Sequence, residues 1–310
     1  MAFDLLPHSF FTLKNGDKLR YAQFEPAEKP RGAVLVVPGR REFIEKKFVE
    51  LGQPLLDLGF RLIIVEPRGQ GLSSRFLMDK KRQRDHIDDF TTHMDDLRAF
   101  YAGVVKPSLN EPLIVHGHSL GAHLLLRWLA EDHPDVVGAF VTSPMLALAG
   151  MPAHLTAYGI SWASVKLLNH DTHYAPTQHD FNDEDCVFAN NPLSQDEARF
   201  QIIENYFTTH PELTVGGVTW GWLLAALRSM QATHAWHYLT RIDIPVLALV
   251  GEKDPVTPAS EIRGYLNLIP RVRTHILPLA RHDLLNEIRS VRDEAWQRID
   301  AFLKMLTVAQ

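Results

Sequence analysis

The sequence of 310 residues has little cysteine and no excess of positive charge. Its single cysteine, Cys186, rules out an internal disulfide and is typical of a reducing compartment. Lys and Arg number 32 and Asp and Glu number 37, so the formal net charge is -5. Because a surface that binds nucleic acid usually carries a basic excess, nucleic acid is not an expected partner.

Long hydrophobic runs are lacking as well. The beginning of the sequence has no basic lead followed by an apolar stretch, so no export signal is expected. The most apolar stretch, residues 136–151, is interrupted by Thr142, Ser143 and Pro144. Such a stretch is too short and too broken to span about 30 Å of hydrocarbon. The prediction is a cytoplasmic protein, with a peripheral position at the inner face of the membrane left open.

What the sequence contains is an ordinary globular composition with an unusual number of histidines. Hydrophobic residues make up 45% and charged residues 22%, and histidines number 16. A chain of this kind can bury a large core, as one domain or as a core with an insertion. The histidines raise the question of a metal or proton-transfer site.

Short apolar runs alternate with longer segments of helical pattern. Buried strands are predicted at 33–37, 61–65, 113–116, 137–142, 245–250 and 274–277, and helices at 43–58, 87–105, 120–133 and 291–306. Buried strands separated by helices indicate an α/β fold, in which helices cover both faces of a mostly parallel sheet. Asn15-Gly16 is a hairpin signal, so an antiparallel pair is expected near the start.

Residues 144–240 interrupt this alternation. We predict that they form an inserted helical cap over the carboxyl ends of the strands, where ligands bind in such sheets. Residues 1–143 and 241–310 would then form the core. The candidates for the wall of a substrate pocket are Trp162, Trp220 and Trp222. The alternative left open is that the segment is one more packed subdomain, with these aromatic residues in its own small core.

Residues 117–121, Gly-His-Ser-Leu-Gly, follow a predicted strand and precede a predicted helix. In this G-x-S-x-G context the serine occupies a turn too tight for side chains at the two glycines. The turn exposes the hydroxyl of Ser119 above the sheet, at a helix N-terminus whose N–H groups favour an anion. We predict that Ser119 is a nucleophile; the alternative is a glycine-rich turn with an idle serine.

A serine nucleophile needs a base and an acid that orients the base. In this architecture they follow in the order serine, acid, histidine. Asp254 comes after one predicted strand and His282 after the next, so both are expected at the same edge of the sheet. Glu252 and Asp283 are the rival carboxylates.

Two backbone N–H groups are expected to stabilise the oxyanion. One belongs to Leu120, which follows the nucleophile, and the other to Arg40, in the loop after the first buried strand. A donor of this kind contributes about 2.7–4 kcal/mol to the transition state. Because the donor is a backbone group, a change of the Arg40 side chain need not abolish activity.

Further motifs extend beyond the serine turn, at residues 38–42 (Pro-Gly-Arg-Arg-Glu), 68–75 (Arg-Gly-Gln-Gly-Leu-Ser-Ser-Arg), 143–145, 215–220 and 282–287. With them the sequence resembles the α/β-hydrolase superfamily, and within it the monoacylglycerol lipase and lysophospholipase family, in particular its bacterial lysophospholipase branch. The resemblance covers nearly the whole chain. It implies Ser119, Asp254 and His282 as a catalytic triad, with Arg40 and Leu120 as oxyanion donors.

The resemblance further implies a serine hydrolase that cleaves carboxylic esters through an acyl-enzyme. The expected partner is a small-molecule or single-chain lipid ester, of the lysophospholipid or monoacylglycerol type, and no metal or organic cofactor is expected. The alternatives left open are a small-ester esterase, an aminopeptidase, an acyltransferase and a catalytically silent binding protein on the same scaffold.

Three weaker signals are interpreted otherwise. Gly69-Gln70-Gly71 follows a strand but does not open a helix, so it does not predict a dinucleotide site. The basic run at 80–84 is interpreted as a solvated loop, with transient contact to a membrane surface as the alternative. Candidate metal ligands in the predicted cap are His170, His173, His179 and Asp180. Their spacing fits no established pattern, so no metal is predicted there.

Overall fold

The apolar runs form one eight-stranded sheet in the computed structural model, which describes residues 3–150 and 154–308. The strands are β1 (Ser9–Thr12), β2 (Lys18–Phe24), β3 (Gly32–Val37), β4 (Phe60–Val65), β5 (Leu113–His118), β6 (Gly138–Thr142), β7 (Val246–Gly251) and β8 (Val272–Leu277). Their spatial order is β1-β2-β4-β3-β5-β6-β7-β8. The β1–β2 and β2–β4 pairs are antiparallel, and the other pairs are parallel. The predicted α/β fold and the hairpin at Asn15-Gly16 are confirmed.

Helices connect the strands and cover the sheet. They are α1 (Ile44–Lys47), α2 (Gln53–Asp57), α3 (Thr91–Phe100), α4 (Lys106–Ser108), α5 (Leu120–Asp132), α6 (His154–Lys166), α7 (Glu197–Thr209), α8 (Trp220–His234), α9 (Trp236–Leu239), α10 (Ala259–Leu266) and α11 (Arg289–Val308). α3 begins later than predicted because Asp89 Oδ1 accepts a hydrogen bond from the Thr91 N–H at 2.8 Å, a turn that competes with helix. In the described part of the chain, no helix is long and apolar enough to cross a membrane.

Two of the predicted helices contain a five-residue stretch of wider, π-type turn. Phe48–Gly52 separates α1 from α2, and Tyr101–Val105 separates α3 from α4. Each stretch is followed after one intervening residue by a proline, Pro54 or Pro107. Because a proline nitrogen has no hydrogen to donate, the regular i to i−4 ladder cannot continue there.

Alternating side chains along the central strands fill two apolar layers, one on each face of the sheet. On β3, Leu35 and Val37 belong to the layer that contains α3, α5 and α8. Val34 and Val36 belong to the layer that contains α1, α2 and α11. Successive side chains of a strand point to opposite faces, so a continuous apolar run serves both layers.

Within its described part, the chain between β6 and β7 adds no strand to the sheet. It contains α6 to α9, and α6 packs against α8. Backbone and side-chain hydrogen bonds fasten it to loops of the core. Arg40 Nη1 donates to the carbonyl of Gly216 at 2.8 Å, and the Asp85 N–H donates to the carbonyl of Gly217 at 3.0 Å. The boundaries of a cap at 144 and 240 stay a prediction.

Replacing Gly16 by alanine should lower the free energy of unfolding by about 1–2 kcal/mol. Gly16 has a φ of 89° in the turn between β1 and β2, and a Cβ there would meet no atom within 4 Å. The cost is therefore backbone strain alone, and urea unfolding measures it.

The matched control is Gly264→Ala in α10, where a Cβ also meets nothing within 4 Å. The backbone there is helical, so we expect the free energy of unfolding to rise by about 0.5–1 kcal/mol. Equal effects at the two positions would contradict strain at the turn.

Candidate active site

Ser119 stands in a strained turn between β5 and α5. Its φ of 50° and ψ of -112° lie outside the regions that non-glycine residues usually occupy. A Cβ on Gly117 would lie 2.6 Å from the Ala122 nitrogen, and a Cβ on Gly121 would lie 1.9 Å from the Val37 oxygen. Both contacts are far too short, so glycine is required at both positions. The strand–turn–helix context of the predicted elbow is present.

Asp254 and His282 meet at the same edge of the sheet. They lie in the loops after β7 and β8, and His282 Nδ1 is 2.7 Å from Asp254 Oδ2. Asp254 Oδ1 also accepts hydrogen bonds from the N–H groups of Val256 at 2.7 Å and Thr257 at 2.9 Å. An ionised carboxylate only accepts, so it holds the proton of a neutral imidazole on Nδ1 and leaves Nε2 with its lone pair.

Opposing effects set the pKa of Asp254. Burial raises this pKa. The hydrogen bond and charge of His282, with the N–H groups of Thr257 and Val256, lower it by more than burial raises it. The net result is a pKa below the usual value for an aspartate, so the carboxylate is ionised at neutral pH.

The rival carboxylates point elsewhere. Asp283 Oδ2 lies 2.6 Å from Lys46 Nζ, and Glu252 is exposed. Neither has a hydrogen bond to the imidazole of His282 in the described part of the chain. Of the three carboxylates, Asp254 is therefore the one that contacts the imidazole of His282.

One cavity of about 490 Å³ brings the predicted residues together, since Ser119, His282 and Arg40 all line it. Among the described residues, no hydrogen bond joins the Ser119 hydroxyl to His282. The ring of His282 lies against that of His118, with centroids 4.8 Å apart, and the Ser143 hydroxyl donates to the His282 carbonyl at 2.7 Å. These contacts hold the imidazole at the cavity wall.

The loop that carries Arg40 lies close to the serine turn, since a Cβ on Gly39 would lie 3.1 Å from the His118 carbonyl oxygen. Leu120 is the first residue of α5, so its N–H belongs to the free N-terminal end of that helix. Arg40 precedes a strained residue, Arg41, whose φ is 61° and whose N–H donates to Gln70 Oε1 at 2.6 Å. In the described ranges, no acceptor is recorded for the Arg40 N–H.

The tryptophans predicted for the pocket are not on the wall of this cavity, which corrects that prediction. Trp222 is 4% exposed and packs in the main core, with its ring 5.5 Å from that of Phe90. Trp220 packs against the same core, and Trp162 is 41% exposed on α6. The reason is that the two tryptophans of α8 pack into the main core, whereas the one on α6 faces outward.

The apolar wall of the cavity comes from α7, which the sequence reasoning missed. Phe200, Ile203 and Phe207 line it. The rings of Phe181 and Phe188 pack against those of Phe207 and Phe200, with centroids 5.2 and 5.5 Å apart. The spacing i, i+3, i+7 on α7 is the helical signal that could have identified this face.

A buried cluster of charges supports the loop after β3. Glu42 accepts hydrogen bonds from the Gly39 N–H and from Lys46, and Lys46 also pairs with Asp283 and Glu50. Burial raises the pKa of Glu42, but the ammonium groups of Lys46 and Lys47 lower it by more, so the pKa lies well below its usual value. The cluster joins α1 to the loop that carries His282.

Two groups of three potential metal ligands occur in the described residues. In Glu42, His118 and Asp283, both carboxylates already bind the ammonium of Lys46. The other group is His86, Asp88 and Asp171. His170 and His173 lie ring to ring at 4.7 Å but belong to neither group. The absence of a metal stays a prediction.

The sheet, the serine turn and the Asp254–His282 pair define an α/β-hydrolase. A family model described as "Serine aminopeptidase, S33" matches residues 28–289, and the chain belongs to this family. A "Probable lysophospholipase L2" of Haemophilus influenzae is 22% identical over 304 residues, which cover 98% of this chain and 94% of that protein. "Lysophospholipase L2" of Escherichia coli K12 is 29% identical over 215 residues, covering 69% of this chain and 61% of that protein.

Solved structures share the fold. A soluble variant of monoglyceride lipase from Saccharomyces cerevisiae superposes with a TM-score of 0.75 at 16% identity, over 96% of this chain and 94% of that chain. A carboxyl esterase from Bacillus coagulans gives 0.76 at 18% identity, over 97% and 98%. The predicted superfamily and the resemblance to lysophospholipases and monoacylglycerol lipases are confirmed.

Acid unfolding should depend on Asp254. Because its folded pKa is lowered, its ionised form stabilises the folded state above about pH 4, and this contribution is lost as the pH falls through the lowered value. In Asp254→Asn, the free energy of unfolding should decline less steeply between about pH 5 and pH 2. Urea titrations across this range measure the slope, with the exposed Asp135→Asn as control. An unchanged slope in Asp254→Asn would contradict the assignment.

Proposed function

We propose that the protein is a serine hydrolase that cleaves carboxylic esters through an acyl-enzyme. The observation that carries the proposal is the 2.7 Å Asp254–His282 contact on the same cavity as the strained Ser119. His282 Nε2 takes the proton of Ser119 Oγ as the oxygen attacks the ester carbonyl, then returns it to the leaving alcohol. Water, activated by the same nitrogen, cleaves the acyl-enzyme. Asp254 stabilises the imidazolium that forms in each step.

The negative oxygen of each tetrahedral intermediate would accept hydrogen bonds from the backbone N–H groups of Leu120 and Arg40. The helix end at Leu120 adds a favourable dipole. The hydrogen bond from Arg41 to Gln70 supports the turn that presents the Arg40 N–H. In this proposal the Arg40 side chain has another task, which is to bind Gly216 of the segment between β6 and β7.

The substrate that best fits is a single-chain lipid ester, of the lysophospholipid or monoacylglycerol type. The names of the two bacterial relatives support the lysophospholipid, and the apolar wall formed by α7 supports an acyl chain. We also propose that residues 144–240 act as the cap, because α7, which belongs to them, forms one wall of the cavity. The runner-up is an aminopeptidase, since the family description names one. A substrate panel with lysolipids, p-nitrophenyl esters and aminoacyl p-nitroanilides separates the two activities.

Ser119→Ala should lower ester hydrolysis by at least about 10³-fold, because the nucleophile is removed while the turn remains. Hydrolysis of a p-nitrophenyl ester and labelling by a fluorophosphonate probe measure the loss. Ser290→Ala, an exposed serine on α11, is the control and should retain both. Turnover by Ser119→Ala near that of the unmodified protein, or a probe adduct on another residue, would refute the nucleophile.

We further propose a cytoplasmic enzyme that contacts the membrane surface through the end of α6. Ile160, Trp162, Leu167 and Leu168 are between 41% and 67% exposed there. The basic run at 80–84 lies alongside, since Lys81 and Arg84 donate hydrogen bonds to Thr172 at 3.1 and 2.7 Å. Apolar side chains next to basic ones suit the interface of an anionic bilayer.

Leu167→Gln should weaken binding to vesicles that contain phosphatidylglycerol by about 10-fold, because the leucine side chain would no longer be buried in lipid. Cosedimentation measures the binding, which should also fall as salt is raised. Phe10→Gln, which removes an exposed apolar side chain on β1, serves as control. Equal binding by all three proteins would argue against this surface.

A further inference from the structure

Glu204 on α7 is a buried carboxylate with an unused acceptor. Its residue is 6% exposed and lines the cavity that contains Ser119. Among the described residues, Glu204 Oε2 has no hydrogen-bond partner. An unpaired carboxylate oxygen away from water is costly, so a ligand that brings an N–H or O–H donor would be stabilised there.

The surroundings of Glu204 favour a donor that carries positive charge. Burial raises the pKa of Glu204, while a hydrogen bond from the Cys186 thiol and the positive charge of Arg41 lower it without cancelling the effect of burial. A cation placed at the free oxygen would stabilise the ionised carboxylate further than the Cys186 thiol and Arg41 do. The nearby Arg41 is already committed in part, since its Nη1 lies 3.1 Å from Asp185 Oδ1.

Arg41 lines the same cavity and provides a positive group beside the carboxylate. Its backbone has a φ of 61°, a strained value for a residue that is not glycine. Its guanidinium lies 5.0 Å from the centre of the Phe181 ring, which fixes the plane of the group. A guanidinium has five N–H donors, so those not used by Asp185 can bind an anion with two parallel hydrogen bonds.

A cation site and an anion site in one cavity complement a zwitterion. We propose that Glu204 and Arg41 form a headgroup subsite for a single-chain phospholipid with a primary ammonium, Glu204 accepting from the ammonium and Arg41 donating to the phosphate. The inference rests on the proposed function. It favours an ethanolamine headgroup over a choline headgroup, because a quaternary ammonium has no N–H to give to the free oxygen of Glu204.

The experiment compares lysophospholipids of one acyl chain that carry ethanolamine, choline or glycerol headgroups, with the matching monoacylglycerol. The unmodified enzyme should prefer the ethanolamine lipid. For Glu204→Gln, we expect kcat/KM for the ethanolamine lipid, divided by kcat/KM for the glycerol lipid, to fall by about 10- to 100-fold, because a charged hydrogen bond is lost.

For Arg41→Gln, we expect kcat/KM for each phospholipid, divided by kcat/KM for the monoacylglycerol, to fall. Glu197→Gln, an exposed glutamate at the start of α7, is the matched control and should leave both ratios unchanged.

An unchanged ratio in Glu204→Gln, or equal losses on all four substrates, would overturn the subsite. If Glu204→Gln does not fold, calorimetric titration of Ser119→Ala with glycerophosphoethanolamine and glycerophosphocholine decides the matter. Binding of the first but not the second supports the subsite, and equal or absent binding overturns it. Hydrolysis of aminoacyl p-nitroanilides that depends on Glu204 would assign the ammonium to a peptide N-terminus and refute the headgroup.

The titration also separates this inference from the proposed function. Binding of glycerophosphoethanolamine without hydrolysis of any ester would refute the hydrolase and keep the subsite. Ester hydrolysis without such binding would keep the hydrolase and refute the subsite.

Discussion

The close approach of α5 to the end of β3 decides where the serine can stand. Gly121 comes so near the Val37 carbonyl that a methyl group would overlap it, and Gly117 meets the first turn of α5 in the same way. Because Gly117 and Gly121 have no side chains, the chain can reverse direction at Ser119, whose backbone adopts a strained conformation. The other loops of the site follow from the parallel sheet, since β3, β7 and β8 all end at the edge where Ser119 emerges.

The parts of the fold that local pattern encodes could be predicted from the sequence. The apolar runs of β3, β4 and β7 are buried on both faces, so their hydrophobicity alone marks them. Asp254 follows β7 and His282 follows the next strand, β8, so both loop positions could be predicted from the order of the strands. Their 2.7 Å contact fits that prediction. The bounds and regularity of the helices were predicted less accurately. Asp89 forms a local hydrogen bond, and Pro54 and Pro107 lack an N–H donor, and a periodic hydrophobic pattern shows neither effect.

Contacts between distant segments could not be predicted. Lys46 and Asp283 are 237 positions apart, and nothing in either local sequence indicates that they meet. The tryptophans are pocket candidates only by residue type and by their place in the predicted cap. The residues that line the cavity, Phe200, Ile203 and Phe207, are instead indicated by their helical spacing. A large aromatic residue suits a core as well as a pocket, so residue type alone does not decide between them.

The place at which the segment between β6 and β7 leaves the sheet has a consequence for how such enzymes can vary. β6 and β7 are parallel neighbours, so the chain leaves the carboxyl edge of the sheet after Thr142 and must cross back to the amino edge to begin β7 at Val246. The entropy of closing a loop grows only with the logarithm of its length, by about 0.6 kcal/mol for each doubling. The segment can therefore lengthen, shorten or be exchanged at small thermodynamic cost, while the sheet keeps its register. Changes that alter the substrate range can therefore accumulate in this segment with little loss of stability. At Gly117 and Gly121 they cannot, because even a single methyl group is too large there.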